Sequence, residues 1–90
     1  MDCVERELII QNRLGLHARA AAQFVQLANQ YSCEIFIEKD GEEVNGKSIM
    51  GILMLAAPKG TTVVLRSRGD DARDALNALQ ALIDDKFGED

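Results

Sequence analysis

Cys33-Glu34-Ile35-Phe36-Ile37-Glu38-Lys39-Asp40-Gly41-Glu42-Glu43-Val44-Asn45 reads as two strands joined by a tight turn. Cys33, Ile35 and Ile37 fall on one side of an extended chain, the period-2 signature of a half-buried strand. Asp40-Gly41 is a strong hairpin signal, because both residues tolerate the positive φ that such turns require. A hairpin makes these two strands antiparallel neighbours.

Reading outward from the hairpin, helical and extended patterns alternate. Ala18 to Gln30 is rich in Ala, Leu and Gln, and Ala21, Phe24, Val25 and Ala28 recur at helical spacing. Upstream of it, Cys3 to Ile10 places Val4, Leu8 and Ile10 on one strand face together with Arg6. Gln11 to Leu16 is a polar connection with Gly15 near its end. Downstream of the hairpin, Asn45-Gly46-Lys47-Ser48 is a turn ending in a helix-capping residue. Ile49 to Ala56 forms a short apolar helix, which stops before Pro58. Thr61 to Arg68 alternates Val63, Leu65 and Ser67 against Thr62, Val64 and Arg66, and Gly69 breaks it. Asp70 and Asp71 suit the positive end of a last helix, whose apolar stripe is Ala72, Leu76, Leu79 and Ile83. Phe87-Gly88 closes that helix, leaving Glu89-Asp90 as a frayed tail. The order β-α-β-β-α-β-α predicts a two-layer α+β domain, with helices on one face of a mostly antiparallel sheet.

The 90 residues allow one hydrophobic core, so residues 1–90 are expected to form a single domain. No apolar run approaches the ~20 residues of a membrane span. The first residues lack the basic-then-apolar order of a signal peptide, so a cytoplasmic protein is expected. A net charge of −5, with aromatics at 4% and no Trp, argues against nucleic acid as a partner. Cys3 and Cys33 form no C-x-x-C pair, and with one histidine they make a poor metal site. No metal and no cofactor are expected.

His17 is the only histidine, in Gly15-Leu16-His17-Ala18-Arg19. It falls where the first helix begins, and backbone N–H groups there, Ala18 among them, lack intrahelical partners. Such an end accepts phosphate readily. Arg19 lies in the first turn, where a cation is unfavourable for the helix itself. A guanidinium there is well suited to a phosphoryl group. Gly15 would allow the unusual backbone or the close approach that a partner's active site needs. Neutral imidazole is a usable nucleophile near its ordinary pKa of ~6.5. The chain has no P-loop and no evident metal-binding carboxylate cluster. It is therefore expected to receive a phosphoryl group and hand it on, not to cleave a nucleotide.

Two stretches carry a family resemblance. Asn12-Arg13-Leu14-Gly15-Leu16-His17-Ala18-Arg19 resembles the active-site signature of the histidine-containing phosphocarrier protein (HPr) family. Gly46-Lys47-Ser48-Ile49-Met50-Gly51-Ile52-Leu53 resembles that family's second motif, around a regulatory serine. The resemblance implies an open-faced β-sandwich, a four-stranded antiparallel sheet covered on one face by three helices. It implies a phosphoryl carrier of the phosphoenolpyruvate-dependent phosphotransferase system, a relay protein and not an enzyme. His17 would accept phosphate from enzyme I, at Nδ1, and pass it to an enzyme IIA-type acceptor domain. Arg19 would steady the phosphoryl group. Ser48 would be the target of an HPr kinase/phosphorylase, and Ile49, Met50 and Leu53 would form the partner surface of a monomer. The family commonly has Pro after the arginine, whereas this chain has Ala20. That Ala, the acidic C-terminus and the neutral Gln26 and Asn29 resemble the nitrogen-related branch (NPr).

Other readings stand beside these. Ser48 caps the helix at Ile49 whatever else it does. A short surface helix cannot bury both Ile52, Leu55 and Ala56 on one face and Ile49, Met50 and Leu53 on another, so one face is expected to be exposed. A purely regulatory binding module of the same fold would not need the histidine. A ligand-sensing domain with a ferredoxin-like core would predict a ligand cleft.

Overall fold

The computed structural model describes residues 2–89. Strands β1 (Asp2–Ile9), β2 (Glu34–Lys39), β3 (Glu42–Asn45) and β4 (Thr62–Gly69) form one sheet in the order β1-β4-β2-β3. All neighbours are antiparallel. β1 pairs with β4 from Asp2↔Gly69 to Ile9↔Thr62, and β2 pairs with β4 from Glu34↔Arg68 to Glu38↔Val64. The Asp40-Gly41 hairpin sets β2 against β3 from Phe36↔Asn45 to Lys39↔Glu42. Both turn residues have positive φ, as the hairpin reading requires. Helices α1 (Ala18–Ala28), α2 (Ile49–Leu55) and α3 (Ala72–Asp84) cover one face of the sheet. The α+β class, the element order and the open-faced sheet are those expected from the sequence.

The core lies between sheet and helices. Leu8 of β1, Ile35 and Ile37 of β2, and Val63 and Leu65 of β4 project into it with the alternation of a strand, and Ile10 joins them from just past β1. Ala20, Ala21, Phe24, Val25 and Ala28 enter from α1; Leu76, Leu79 and Ile83 enter from α3. The alanines let α1 approach closely while Phe24 fills the space between. Phe24 is fully buried, and truncating it to Ala would cost about 3–5 kcal/mol.

On the open face, Arg66 of β4 meets Glu5 of β1, Glu38 of β2 and Glu43 of β3, one carboxylate from each other strand. Such exposed pairs are worth little individually, but they match the register of all four strands.

Boundaries differ from expectation where local contacts override the pattern. α1 ends at Ala28, not Gln30. α2 ends at Leu55, because Ala56 turns left-handed (φ 52). Ala56 is therefore exposed and leaves the buried face of Ile52 and Leu55. Lys39 Nζ satisfies that helix end, donating to the carbonyls of Leu55 and Ala56 at 3.0 Å each. Gly69 does not break β4 but is its last paired residue.

Asp71 stands at the head of α3 without capping it. Its carboxylate instead accepts from the backbone N–H groups of Ser32 (2.9 Å) and Cys33 (3.0 Å), tying the start of α3 to the approach of β2. Those bonds, the Ser32 N–H foremost, hold the Asp71 carboxyl below its ordinary pKa. Cys3 is exposed and Cys33 is buried, and both are free thiols.

Candidate functional site

The chain leaves β1 through Ile10, whose carbonyl accepts from Gly60 N–H at 2.8 Å, and then loops to the head of α1. Gly15 has φ +68, and a Cβ there would stand 2.5 Å from the Ala57 carbonyl oxygen. Gly15 thus supplies the unusual backbone the sequence suggested, and the packing of this loop on the segment after α2 leaves no room for a side chain there. Leu16 N–H donates to the same Ala57 carbonyl at 2.9 Å. These contacts bring the end of α2 beside His17. Leu14, Leu16, His17, Ala56, Ala57 and Pro58 line one shallow depression.

His17 is the N-cap residue of α1 by backbone, extended at φ −77 and ψ −179, and its side chain does not cap the helix. No acidic residue occupies the first turn. The first N–H groups of α1, beginning with Ala18, therefore face outward without a side-chain acceptor. Arg19 extends from that turn with its side chain 71% exposed. The imidazole is 26% exposed.

The imidazole points instead to the other end of the chain. His17 Nε2 lies 3.0 Å from Glu89 Oε1 and 3.1 Å from Oε2. Glu89 Oε1 also accepts from Asn12 Nδ2 at 2.8 Å, and Oε2 lies 3.4 Å from Arg19. The Glu89 side chain is only 13% exposed. The expectation of a frayed tail at Glu89 is overturned; Asp90 lies outside the described residues. The tail is directed there by Lys86, Phe87 and Gly88, which all have positive φ (57, 56 and 74). Left-handed backbone costs roughly 1–2 kcal/mol at each non-glycine. Burial of Phe87, worth about 1.5–3 kcal/mol, offsets part of that cost.

Asn12 stood in the sequence in a polar connection and at the start of the first motif, with no role assigned, yet it is fully buried at the centre of this arrangement. Its Nδ2 donates to Gly15 O (2.7 Å) as well as to Glu89. Those two acceptors settle the amide orientation, since a flip would set oxygen against oxygen. Together the Asn12 donor, His17 and Arg19 hold the Glu89 carboxyl below its ordinary pKa, against the opposing effect of burial.

Ser48 begins α2 in the manner expected. Its hydroxyl accepts from Gly51 N–H at 3.0 Å. Ile49, Met50 and Leu53 are exposed on α2, and Ile52 and Leu55 are buried. Met54, 72% exposed, and Leu14, 61% exposed, extend the apolar surface beyond the residues read from the sequence. Leu14 belongs to the same loop as His17. Ser48 stands at the opposite end of α2 from that loop, one seven-residue helix or ~10 Å away along its axis.

Residues 4–85 match the family model described as the PTS HPr component phosphorylation site. The chain belongs to the HPr phosphocarrier family. It is 48% identical over 86 residues to phosphocarrier protein HPr of Neisseria meningitidis serogroup A, covering 96% of this chain and 97% of that one. It is 50% identical to HPr of Pseudomonas aeruginosa, covering 92% of this chain and 93% of the other. The crystal structure of HPr-C-His from Thermoanaerobacter tengcongensis superposes with a TM-score of 0.94 at 49% identity, covering 97% and 98% of the two chains. HPr proteins are carriers of the phosphotransferase system and not catalysts in their own right. Among the described residues no helix is long and apolar enough to cross a membrane.

Proposed function

We propose that this chain relays a phosphoryl group on His17, taking it from enzyme I and giving it to an enzyme IIA-type acceptor domain. The observation that carries this reading is the head of α1. It is a helix N-terminus with no side-chain cap and no acidic first turn, with a partly exposed imidazole at its N-cap and a guanidinium two residues on. Nδ1 of His17 accepts the phosphoryl group. Ala18 N–H and Arg19 steady its oxygens, by the attraction of a helix N-terminus for anions and the fit of guanidinium to phosphate. The whole chain acts as one carrier domain in the cytoplasm, as a monomer.

Partners dock on the apolar surface of Ile49, Met50 and Leu53, continued by Met54 and Leu14. Ser48, at the edge of that surface, is a regulatory site for an HPr kinase/phosphorylase. A phosphoryl group there suits the positive end of α2 and leaves the helix folded, but adds an unpaired dianion beside an apolar interface.

Two measurements test this. Incubation with phosphoenolpyruvate and enzyme I labels wild type with an acid-labile, alkali-stable phosphate, and His17→Ala takes none. Equal labelling of that variant overturns the assignment. Enzyme I proteins of the sugar and nitrogen branches, compared side by side, assign the branch. Ser48→Asp, which keeps a capping side chain, raises the apparent KM of the carrier for enzyme I without altering the melting temperature. Identical saturation curves leave Ser48 a helix cap only.

A further inference from the structure

Lys39 is the last residue of β2 and falls on the same side of the strand as the buried Ile35 and Ile37. It stands half-buried, with an ammonium where the strand pattern sets a core side chain. Among the described residues no carboxylate pairs with it. Its Nζ donates instead to the carbonyls of Leu55 and Ala56, at 3.0 Å each. These belong to the end of a helix, where carbonyls lack intrahelical partners and a cation is favourable.

That helix end continues directly into the wall of the His17 site. Ala56 holds a left-handed backbone, φ 52 and ψ 60, which disfavours any residue with a Cβ. One residue on, the Ala57 carbonyl accepts from Leu16 N–H at 2.9 Å, and Gly15 packs against the same oxygen. Leu16 immediately precedes His17. Three consecutive carbonyls thus join the sheet to the acceptor loop: those of Leu55 and Ala56 face Lys39, and that of Ala57 faces Leu16.

We propose that Lys39 is a positioning residue for phosphoryl transfer: its ammonium pins the left-handed end of α2, against which the loop that carries His17 is built. This rests on the reading of His17 as the phosphoryl acceptor. Without the ammonium, the Leu55 and Ala56 carbonyls turn to water, and little else holds Ala56 in a disfavoured backbone. The Ala57 carbonyl then loses its fixed place, and Leu16 N–H and the imidazole lose theirs with it. A nucleophile misplaced by ~1 Å forfeits much of the rate that orientation provides.

The test combines a measurement that needs no partner with one that does. In the free full-length protein, amide exchange followed by NMR reads the loop directly. Lys39→Met keeps the apolar stem and removes the donor. Leu16 N–H should then exchange about fivefold faster than in wild type, the scale of a hydrogen bond lost from a local opening. Leu65 N–H, in the middle of the interior strand β4, should change by less than about twofold, because only global opening exposes it. Ala56→Gly added to Lys39→Met should restore most of the protection at Leu16, since glycine takes the left-handed turn unaided. In the enzyme I reaction Lys39→Met should lower the maximal rate of His17 labelling about threefold with KM within about twofold, and the added Ala56→Gly should recover it. An unchanged Leu16 amide overturns the proposal, as does a loss of rate confined to KM. Equal acceleration at Leu16 and Leu65 marks a general loss of stability and overturns it too, as does an Ala56→Gly change that restores neither readout. If wild type takes no label at all, the carrier reading fails, and the two amides alone still decide whether Lys39 holds the loop.

Discussion

α1 and α2 both begin at a polar residue in extended backbone, and they begin in opposite ways. At α2 the Ser48 hydroxyl accepts from Gly51 N–H, so the helix head is satisfied within the molecule. At α1 the His17 side chain turns away to Glu89, no side chain caps the helix, and the first turn carries Arg19. The contrast separates stability from reactivity. A capped end gains about 1 kcal/mol and offers little to an outside anion. An uncapped end forgoes that stabilisation and keeps its donors for a visitor.

Exchanging the two designs gives the largest effect. His17→Ser places a capping hydroxyl at the head of α1; the variant should melt higher, by about 1 kcal/mol, and take no label from enzyme I. A lower melting temperature would mean that the Glu89 contact outweighs a cap, and the contrast would lose its energetic half. Conversely, Ser48→Ala should destabilise by about 1 kcal/mol in urea or thermal unfolding, since it removes a satisfied cap.

Smaller still is Arg19→Ala. It removes an unfavourable cation from a helix head and an exposed pair to Glu89, two terms of similar size and opposite sign, so stability should change by no more than about 0.5 kcal/mol. Transfer should slow while the melt stays put; an unfolded variant that relays normally once refolded would make Arg19 structural.

The third helix head sharpens the comparison through pH. Asp71 turns its carboxylate onto Ser32 and Cys33, and its folded pKa is depressed. The unfolded chain therefore binds its proton more readily. The stabilisation is complete above the ordinary carboxylate pKa and is lost as pH falls through the lower, folded one. Melting temperature against pH should fall less steeply through the acid range in Asp71→Asn than in wild type.

What could be read from the chain follows the range of the interactions. Alternation in β4 put Val63, Leu65 and Ser67 on the buried face, and the helical spacing of Ala21, Phe24, Val25 and Ala28 found the core face of α1, because both are local consequences of backbone period. The capping role of Ser48 was equally local. The roles of Asn12 and Glu89 were not legible. One sat in a polar connection and the other in a polar tail, and only the folded chain brings them to His17. The signal available for Glu89 was Phe87, an apolar residue too near the tail to be idle, followed by a glycine able to turn the chain. Asp71 shows the opposite error: its position announced a helix head, but its carboxylate serves a different segment.

The strand order has a kinetic consequence. β2 and β3 are joined by two residues and can pair as soon as both exist, but β1 has β4 as its sole neighbour, and Asp2 meets Gly69. Closing so long a loop precedes any reward from its contacts, which slows folding relative to a locally paired sheet. On a ribosome the segment from Asp2 to Ile9 emerges first, yet its docking site does not exist until Thr62 to Gly69 has been made. Leu8 must stay out of the core for that interval, so the first strand synthesised is the last that can be set in place.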